Sequence, residues 1–404
     1  MRICDVNSLY SPTGGGIRIY HDRKLNYFSE HTRHTASLVI PGKDDRIMCR
    51  ESAKIYTVKS IPIFRSGYRM IADSGGLNSV FLDYRPDIVE IGSPYLLPAL
   101  TARAMGASPV PTVGFYHSDF PDSYISPYAG KIFPSKIAER LKRAAISHVR
   151  KHFGNMTAVF AASRCMLAKL HDAGIRRLFY TPLGVDTDVF SPSAGSSRFR
   201  RETGASDRSR LVLYMARLHS EKGLDLLMKA YPLFRDPGTI KLVIGGHGPH
   251  EGLVAEFIKK YPEVHRLPWQ KGRNAVAEAM ASSDVFLALG RYETFGLAGL
   301  EAIASGTVPV FPDMGAAGEM AASLGLLPPF EADNPESLAK AISAAMEVLS
   351  SRETTEYLRN YAVSRHSWVD VFRRMEKFYE RIIEAFNDND VERLVPPDSW
   401  WEEP

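Results

Sequence analysis

Short apolar runs alternate with segments of helical periodicity along nearly the whole of this 404-residue chain. This alternation is typical of α/β proteins, in which parallel strands are joined by helices that cover the sheet. A chain of this length exceeds what one hydrophobic core comfortably supports, so two domains are expected. The strands predicted from the apolar runs are Ile3–Val6, Ala36–Ile40, Lys54–Val58, Ile88–Ile91, Thr112–Tyr116, Ala158–Ala161, Leu211–Met215, Lys241–Ile244, Asp284–Leu289 and Val308–Phe311.

The predicted strands form two series, which indicates two doubly wound domains of roughly 180 residues each. The polar stretch Ser191–Arg210, rich in Ser, Arg and Gly, separates the two series and is interpreted as a linker region. We expect the domains to cover residues 1–185 and 186–366. Residues 367–404 carry a predicted helix over Trp368–Phe386, with apolar residues at helical spacing, and then a polar tail.

The overall composition excludes several classes of protein. The net charge of +4, from 50 basic and 46 acidic residues, is too small to predict nucleic-acid binding. No apolar run approaches the roughly 18 residues that span a bilayer, and the first residues lack the apolar stretch of a signal peptide. Three cysteines without metal-ligand spacing are typical of reduced thiols. These features predict a cytoplasmic protein.

The segment Arg291–Glu301 directly follows the predicted strand that ends near Gly290. A helix is expected to start near Thr294 to Gly296, and the carboxyl end of a strand that leads into a helix is where open α/β sheets bind ligands. Glu293 would lie at the mouth of this site, and Glu301 about two turns, or roughly 12 Å, deeper along the helix. This spacing suits a ligand with hydroxyls at one end, phosphates in the middle and a ribose at the other, such as a nucleotide-sugar.

Two cations, Arg217 and Lys222, follow the predicted strand Leu211–Met215. Arginine can bind a phosphate with two parallel hydrogen bonds, and lysine adds a point charge. Two fixed cations facing a diphosphate could replace a divalent metal in stabilising a leaving group. The alternative is an exposed turn in which both side chains are solvated. The chain has two Asp-x-Asp triplets, Asp186-Thr-Asp188 next to the linker region and Asp388-Asn-Asp390 in the polar tail, and neither is expected to bind a metal.

The first strand leads into a loop with three glycines, of which Gly15 and Gly16 let the backbone approach a phosphate closely. The loop lacks the Gly-x-Gly-x-x-Gly spacing of dinucleotide sites, and a flexible turn is the alternative. His117 ends the predicted strand Thr112–Tyr116. Its imidazole could hydrogen-bond a sugar hydroxyl or respond to charge at a reacting carbon, or it could serve only the structure.

The stretch Lys131–Phe153 is basic and amphipathic. Such a helix can attract an anionic membrane surface, and a solvated basic face is the alternative. At helical angles one side carries Ile137, Leu141, Ala144, Ala145 and His148. A flank carries Lys136, Arg140, Arg143, Arg150 and Lys151.

The motifs GGG, YHSDFP, GVDTDVF, ARLHSEKG, GGHGP and RYETFGLAGLEAIASGTVPV occur in this order along nearly the whole chain. Together they resemble the retaining glycosyltransferases of family 4, and the last segment is the most specific. The resemblance implies the GT-B fold, in which two Rossmann-like domains face a cleft and a C-terminal helix crosses back to the first, acceptor-side domain. The predicted helix Trp368–Phe386 suits that crossing.

The resemblance also gives the motifs their roles. Arg217 and Lys222 would hold the donor diphosphate, and Gly15 and Gly16 would approach the phosphates or the sugar. Glu301 would accept hydrogen bonds from the ribose hydroxyls. The donor-sugar contacts implied are Glu293, the backbone of Thr294, Phe295 and Gly296, and His117 near the reacting centre. Retention by same-face displacement is implied, with no enzyme nucleophile, no metal and no cofactor.

Two positions depart from the family pattern: His247 stands where an acidic residue is common, and Leu183 where Asn is common. The segment FYHSDFP is most similar to the mannosyltransferase and glycolipid-synthase branch, which favours GDP-mannose over a UDP-sugar. The expected enzyme moves a hexose to a hydroxyl of a glycolipid or polysaccharide, in the cytoplasm or peripherally on the inner membrane face. The alternatives are a nucleotide-sugar epimerase of the same fold and a non-catalytic nucleotide-sugar binder.

Overall fold

The computed structural model describes residues 1–10, 15–51, 53–63, 69–125, 132–206, 208–268, 270, 272–348 and 352–396. The chain divides into two compact units. The first unit comprises Met1–Leu183 together with Trp368–Pro404, and the second comprises Gly184–Ser367. The chain therefore leaves the first unit two residues before the predicted position and returns to it one residue after the predicted one.

The first unit is built on an eight-stranded sheet with the order β10-β9-β8-β7-β1-β2-β4-β3. Its strands are parallel except β3, which pairs antiparallel with β4, and β5 and β6 form a separate small ladder. Central strands are buried on both faces, which explains their nearly continuous apolar sequences. The strands are β1 (Arg2–Val6), β2 (Thr35–Gly42), β3 (Arg46–Arg50), β4 (Ala53–Lys59), β5 (Ile61–Pro62), β6 (Arg69–Met70), β7 (Ile88–Ile91), β8 (Thr112–Phe115), β9 (Ala158–Ala161) and β10 (Leu178–Tyr180).

Helices connect these strands and bury one face each. A short π-helical turn, Pro121–Ile125, follows β8. Helix α2 starts where the Asp73 carboxylate accepts the Gly75 N–H at 3.0 Å, and it ends at Arg85, whose φ is 50°. The helices of this part are α1 (Gly16–His31), α2 (Ser74–Tyr84), α3 (Leu97–Met105), α4 (Ser135–Phe153) and α5 (Arg164–Asp172).

The second unit contains a five-stranded parallel sheet with the order β13-β12-β11-β14-β15. Its strands are β11 (Arg210–Met215), β12 (Ile240–Gly245), β13 (His265–Arg266), β14 (Val285–Leu287) and β15 (Val308–Val310). Its helices are α6 (Ser197–Glu202), α7 (Leu224–Phe234), α8 (Glu251–Lys260), α9 (Arg273–Ala281), α10 (Leu297–Ala304), α11 (Gly315–Leu324), α12 (Pro335–Val348) and α13 (Arg352–Arg365). Every strand predicted from the sequence is present in the two sheets, with ends that differ by at most two residues.

The interpretation of residues 191–210 as a linker was wrong. The stretch lies inside the second unit and forms the 3-10 turn Pro192–Ala194 and helix α6. The Ser196 hydroxyl caps α6 by accepting the Phe199 N–H at 3.3 Å, and the Phe199 side chain is buried. Its polar composition therefore reflects a short, capped surface helix.

The last helix, α14 (Trp368–Asn387), belongs to the first unit. One face is buried along its whole length, as the helical spacing of its apolar residues predicts. The Phe372 ring lies 5.8 Å from the Tyr20 ring of α1, and the Phe378 ring lies 5.0 Å from that of Phe179 in β10. The helix thus joins the start and the end of the chain in one core.

Candidate active site

The loop after β14 and helix α10 carry the predicted glutamate pair at the carboxyl edge of the second sheet. Gly296 adopts a φ of +93°, and α10 begins after it at Leu297. Glu293 consequently lies in the connecting loop, and Glu301 lies about one helical turn inside α10. The two glutamates are therefore separated by loop residues and one helical turn, where the sequence analysis expected about two helical turns.

Lys222 and Glu293 form a direct ion pair, although 71 residues separate them in the sequence. The Lys222 Nζ donates to the Glu293 Oε1 at 2.6 Å, and each side chain is about 30% exposed. Burial alone lowers the pKa of Lys222, but the charge and the hydrogen bond of Glu293 outweigh it, so the pKa is raised. The structure thus brings together two residues that the sequence analysis assigned to neighbouring parts of one ligand.

Arg217 lies just beyond β11, and its side chain is about half exposed. Its guanidinium pairs with Glu221, four residues along the chain, which the sequence analysis did not single out. The 3-10 turn Ser220–Lys222 follows, and the Tyr214 hydroxyl donates to the Lys222 carbonyl at 3.1 Å. Both cations are therefore carried on a short, internally bonded connection after one strand.

Glycines allow the loop after β12 to lie directly against the loop after β11. Gly246 has a φ of +117°, and a Cβ there would lie 1.8 Å from the Ala216 carbonyl oxygen. The Leu218 N–H donates to the His247 carbonyl at 3.0 Å, and the His250 N–H donates to the Leu218 carbonyl at 3.1 Å. These contacts hold the cation-bearing loop in place, so the glycines after β12 do more than shape a turn.

Glu301 is 8% exposed, and Arg273 of α9 approaches its carboxylate, with 3.3 Å between Nη1 and Oε1. Burial raises the pKa of Glu301 to about 7, although Arg273 opposes this effect, and the negative charge of Asp186 adds to it. Phe295 is also buried, and its ring lies 5.7 Å from that of His366. The carboxyl group of Glu301 therefore changes charge near neutral pH.

In the first unit, His117 is partly buried just beyond β8, and its Nε2 atom is fully buried. Its ring stacks on that of Phe115 at 4.0 Å and lies 4.9 Å from the ring of Tyr20. Burial lowers the pKa of His117 well below its usual value, and the charges of His21 and Lys24 lower it further. The imidazole is therefore neutral at neutral pH.

Gly15 and Gly16 lie at the amino terminus of α1, with Gly15 as the residue before the helix. Gly15 has a φ of −83°, and a Cβ built on it would meet no atom of the described residues within 4 Å. Its conformation therefore does not demand glycine. Gly14, the first glycine of the predicted loop, lies outside the described residues.

A buried charge network, which the sequence analysis missed, lies beside His117 in the first unit. The Lys24 Nζ is 2.6 Å from Asp5 Oδ1 and 3.0 Å from Glu90 Oε2, and it donates to the Tyr379 hydroxyl at 2.7 Å. The His21 Nδ1 lies 2.9 Å from the other Asp5 oxygen. These ions compensate one another and link β1, α1 and β7 to the C-terminal helix.

Two groups of residues within the described ranges have ligand atoms close enough for a metal ion. In the group Asp5, His21 and Glu90, the Lys24 ammonium already contacts both carboxylates, and its charge would oppose a cation. The prediction that no metal or cofactor is needed stays a prediction. The second group is His34, Glu376 and Glu380.

Helix α4 carries the described part of the basic stretch, while Lys131 lies outside the described residues. Ala145, Val149 and Phe153 pack into the core, but Ile137 and Leu141 are 43% and 40% exposed. Within the part of the chain that the structure describes, the predicted apolar face is therefore covered only in its C-terminal half. In the part of the chain that the structure describes, no helix combines the length and apolar character needed to cross a membrane.

The chain matches two known sequence families. Residues 14–189 match the sequence model of Glycosyltransferase Family 4, and residues 196–365 match that of Glycosyl transferases group 1. Over 352 residues the chain is 30% identical to GDP-mannose-dependent alpha-(1-6)-phosphatidylinositol dimannoside mannosyltransferase of Mycobacterium tuberculosis, covering 85% of this chain and 87% of the relative. It is 26% identical to a GDP-mannose-dependent alpha-mannosyltransferase of Corynebacterium glutamicum, over 78% of this chain and 73% of that protein.

Solved structures with the same fold include sucrose-phosphate synthase from Thermosynechococcus elongatus. Its TM-score is 0.75 at 16% identity, covering 95% of this chain and 99% of that one. Anabaena Alr3699/HepE, solved in complex with UDP, gives a TM-score of 0.69 at 18% identity, covering 94% and 100% of the two chains. Identities this low indicate a shared architecture alone.

Proposed function

The chain belongs to glycosyltransferase family 4 and has the GT-B fold, and from this premise we propose that it is a retaining, metal-independent mannosyltransferase. The proposed donor is GDP-mannose, which the names of two relatives include. The proposed acceptor is a hydroxyl of a glycolipid, because one relative is named for phosphatidylinositol dimannoside. The observation that carries the proposal is the pair of Lys222 and Glu293 at the carboxyl edge of the second sheet.

This pair suits the junction between a diphosphate and a sugar. The ammonium and the carboxylate neutralise each other at 2.6 Å. A diphosphate competes for the ammonium of Lys222, and as that ion pair weakens, Glu293 becomes available to accept hydrogen bonds from sugar hydroxyls. The exchange leaves neither partly buried charge without a partner, which lowers the desolvation cost of binding.

Arg217 and Lys222 together would stabilise the charge that develops on the diphosphate as the glycosidic bond breaks. Their positive charges serve where other transferases use a divalent cation, which supports metal independence. A neutral His117 can form a hydrogen bond with the donor sugar without adding charge near the reacting carbon. The acceptor oxygen attacks from the face that the diphosphate leaves, and its proton passes to the departing phosphate.

We also propose that the protein attaches peripherally to an anionic membrane surface, where a glycolipid acceptor resides. The side chains in the amino-terminal half of α4 support this proposal. Ile137 and Leu141 are exposed there beside Lys136, Arg140 and Arg143, which are exposed as well. Exposed apolar side chains flanked by cations are the pattern of helices that lie in the interface of a bilayer. This arrangement favours the inner membrane face over a purely soluble location.

The donor assignment is tested with Lys222→Ala and Glu293→Gln, measured for mannose transfer from GDP-mannose and for donor hydrolysis. Each variant should lose about a hundredfold or more in kcat, because it removes a group that acts on the developing charge or the sugar. Arg198→Ala is the matched control, since Arg198 pairs with Glu202 at 3.0 Å on exposed helix α6 of the same unit. Rates near wild type for both site variants would refute the assignment, and loss of activity in a chelator would refute metal independence.

Two further measurements address the alternatives and the membrane. An epimer formed from donor alone, seen by NMR, would indicate an epimerase, and tight donor binding without turnover would indicate a binder.

Co-sedimentation with vesicles rich in anionic lipid should decrease when Arg140 and Arg143 become Ser, and should weaken with salt. Arg352→Ser, at a 91% exposed position of the second unit, is the control. The membrane proposal fails if wild-type protein does not sediment with these vesicles at low salt.

A further inference from the structure

Arg273 is the first residue of α9 and reaches across to Glu301 on α10. Its guanidinium carbon lies 4.8 Å from the centre of the buried Phe190 ring, and its Nη1 lies 3.3 Å from the Glu301 Oε1. The ring fixes the plane of the guanidinium, and the ion pair fixes its direction. Two contacts on different elements thus hold this arginine against the carboxylate.

The Nε and Nη1 atoms of Arg273 are buried and make no well-aligned hydrogen bond to any residue in the described ranges. Buried guanidinium donors are rarely left without an acceptor, because their desolvation is not repaid. The neighbouring Arg359 differs in this respect, since it donates to the carbonyls of Thr187 and Phe190 at 2.7 and 2.6 Å. Arg273 therefore has hydrogen-bonding capacity that the residues in the described ranges do not use.

We propose that Arg273 is a positioning residue for the donor ribose: it holds the Glu301 carboxylate towards the vicinal hydroxyls and donates to a ribose oxygen. This inference rests on the proposed function, in which Glu301 accepts the ribose hydroxyls. A carboxylate beside a guanidinium offers acceptors and donors side by side, which matches a pair of neighbouring hydroxyl groups. A 2′-deoxyribose lacks one of these hydroxyls, so the two residues would make the site specific for ribose.

The role of Arg273 can be measured through the pH dependence of donor binding, because the charges around Glu301 shift its pKa. Burial raises the pKa of Glu301 to about 7, Arg273 opposes that rise, and Asp186 strengthens it. Arg359 also lies nearby, donating to the Ala304 carbonyl of α10 at 3.3 Å. Because the ionised carboxylate is the better acceptor, donor affinity should increase as the pH rises through about 7. Removal of Arg273 should move this increase to higher pH, since the ionised form loses its cation.

The test measures binding of GDP-mannose and of its 2′-deoxyribose analogue by calorimetry between pH 6 and 8, where the diphosphate diester does not titrate. Wild-type protein should prefer the ribose form by about tenfold or more. In Arg273→Gln this preference should largely disappear, and the pH dependence should move to higher pH. Arg273→Lys, which retains the charge, should keep the midpoint near that of wild type. Glu301→Gln should remove the pH dependence.

The matched control is Arg200→Gln, because Arg200 is partly buried in the same unit and pairs with Asp284 at 3.0 Å. It should leave both the ribose preference and the pH midpoint unchanged. Equal weakening of both ligands in Arg273→Gln, with an unmoved midpoint, would overturn the inference and leave the proposed function intact. If Arg273→Gln does not fold, an unchanged pH dependence in Glu301→Gln overturns it instead. Absence of GDP-mannose binding by wild-type protein would refute the proposed donor, and the inference with it.

Discussion

Lys24 carries the only positive charge that directly contacts both buried carboxylates of the network among the described residues, so its replacement gives a demanding test of the structure. Its side chain is fully buried, and its ammonium lies 2.6 Å from Asp5 and 3.0 Å from Glu90. Lys24→Met keeps the length and apolar stem of the side chain but removes the charge. Two carboxylates then remain buried with one cation fewer, and breaking a buried ion pair in this way typically costs about 3–5 kcal/mol.

The cost should depend on pH in a defined direction. In the wild-type protein, burial raises the pKa of Asp5, but Lys24 and His21 outweigh it and lower the pKa overall, whereas burial raises the pKa of Glu90 despite Lys24. Without Lys24, the folded-state pKa of both carboxyls rises: that of Glu90 moves further above its unfolded value, and that of Asp5 loses the main cause of its lowering. Groups with raised folded-state pKa values contribute stability at low pH and lose it as the pH increases. The variant should therefore be closest to wild type near pH 5 and furthest from it near pH 8.

Native-state hydrogen exchange read by mass spectrometry separates the two units, which a single melting curve does not. Peptides from β1 and α1 should lose about two to three and a half powers of ten in protection at pH 8, since about 1.4 kcal/mol is a factor of ten. Peptides from the second unit, such as β11, should change little. Comparison with wild type at each pH removes the intrinsic pH dependence of exchange.

The matched control is Lys54→Met, whose partner Asp83 lies at 2.9 Å with both side chains about two-fifths exposed. That exposed pair should be worth no more than about 1 kcal/mol. The double variant Lys24→Met with Glu90→Gln should recover part of the loss, because it removes one uncompensated charge. The reasoning is refuted if Lys24→Met costs no more than Lys54→Met, or if its cost is the same at pH 5 and pH 8.

Two other predictions follow from the geometry. In a denaturation assay, Gly246→Ala should destabilise the second unit by about 3 kcal/mol or more, because the new Cβ would lie 1.8 Å from the Ala216 carbonyl oxygen and the φ of this residue is +117°. Gly252→Ala is the control: this glycine lies in helix α8, and a Cβ there would meet no atom of the described residues within 4 Å. The control variant should be as stable as wild type or more stable. The ring of His117 should remain neutral because its pKa is lowered, so its NMR chemical shifts should not titrate between pH 8 and pH 6. A midpoint near 6.5 would contradict the lowered pKa.

Much of the fold was predictable because its signals are local. The apolar runs of β1, β7 and β9 report burial on both faces of a parallel sheet. Strand β3 was missed because all five of its residues are exposed, so no alternation marks it. Strands β10 and β13 are only three and two residues long, which is too short for a periodic pattern.

The candidate site was predictable where chemistry and sequence spacing coincide, as in Arg217, Lys222 and the glutamates around α10. It was not predictable where distant segments meet. The sequence shows no link between Lys222 and Glu293, or between Arg273 and Glu301, because their contacts depend on the order of strands in the sheet. Periodicity likewise showed which residues of α4 share a side, but the coverage of that side depends on the rest of the unit.

The buried network gives the C-terminal helix a role beyond covering the core. Tyr379 of α14 accepts the Lys24 N–H and donates to Glu90, so it is a hydrogen-bond partner of two buried ions. Lys24 and His21 in turn help to lower the pKa of His117. Burial is the main cause of the low pKa of His117, and the charges of α1, a helix that α14 contacts from the far end of the chain, add to it. Loss of α14 would expose ions as well as apolar surface. It would also change the environment of His117, even if every residue next to His117 were retained.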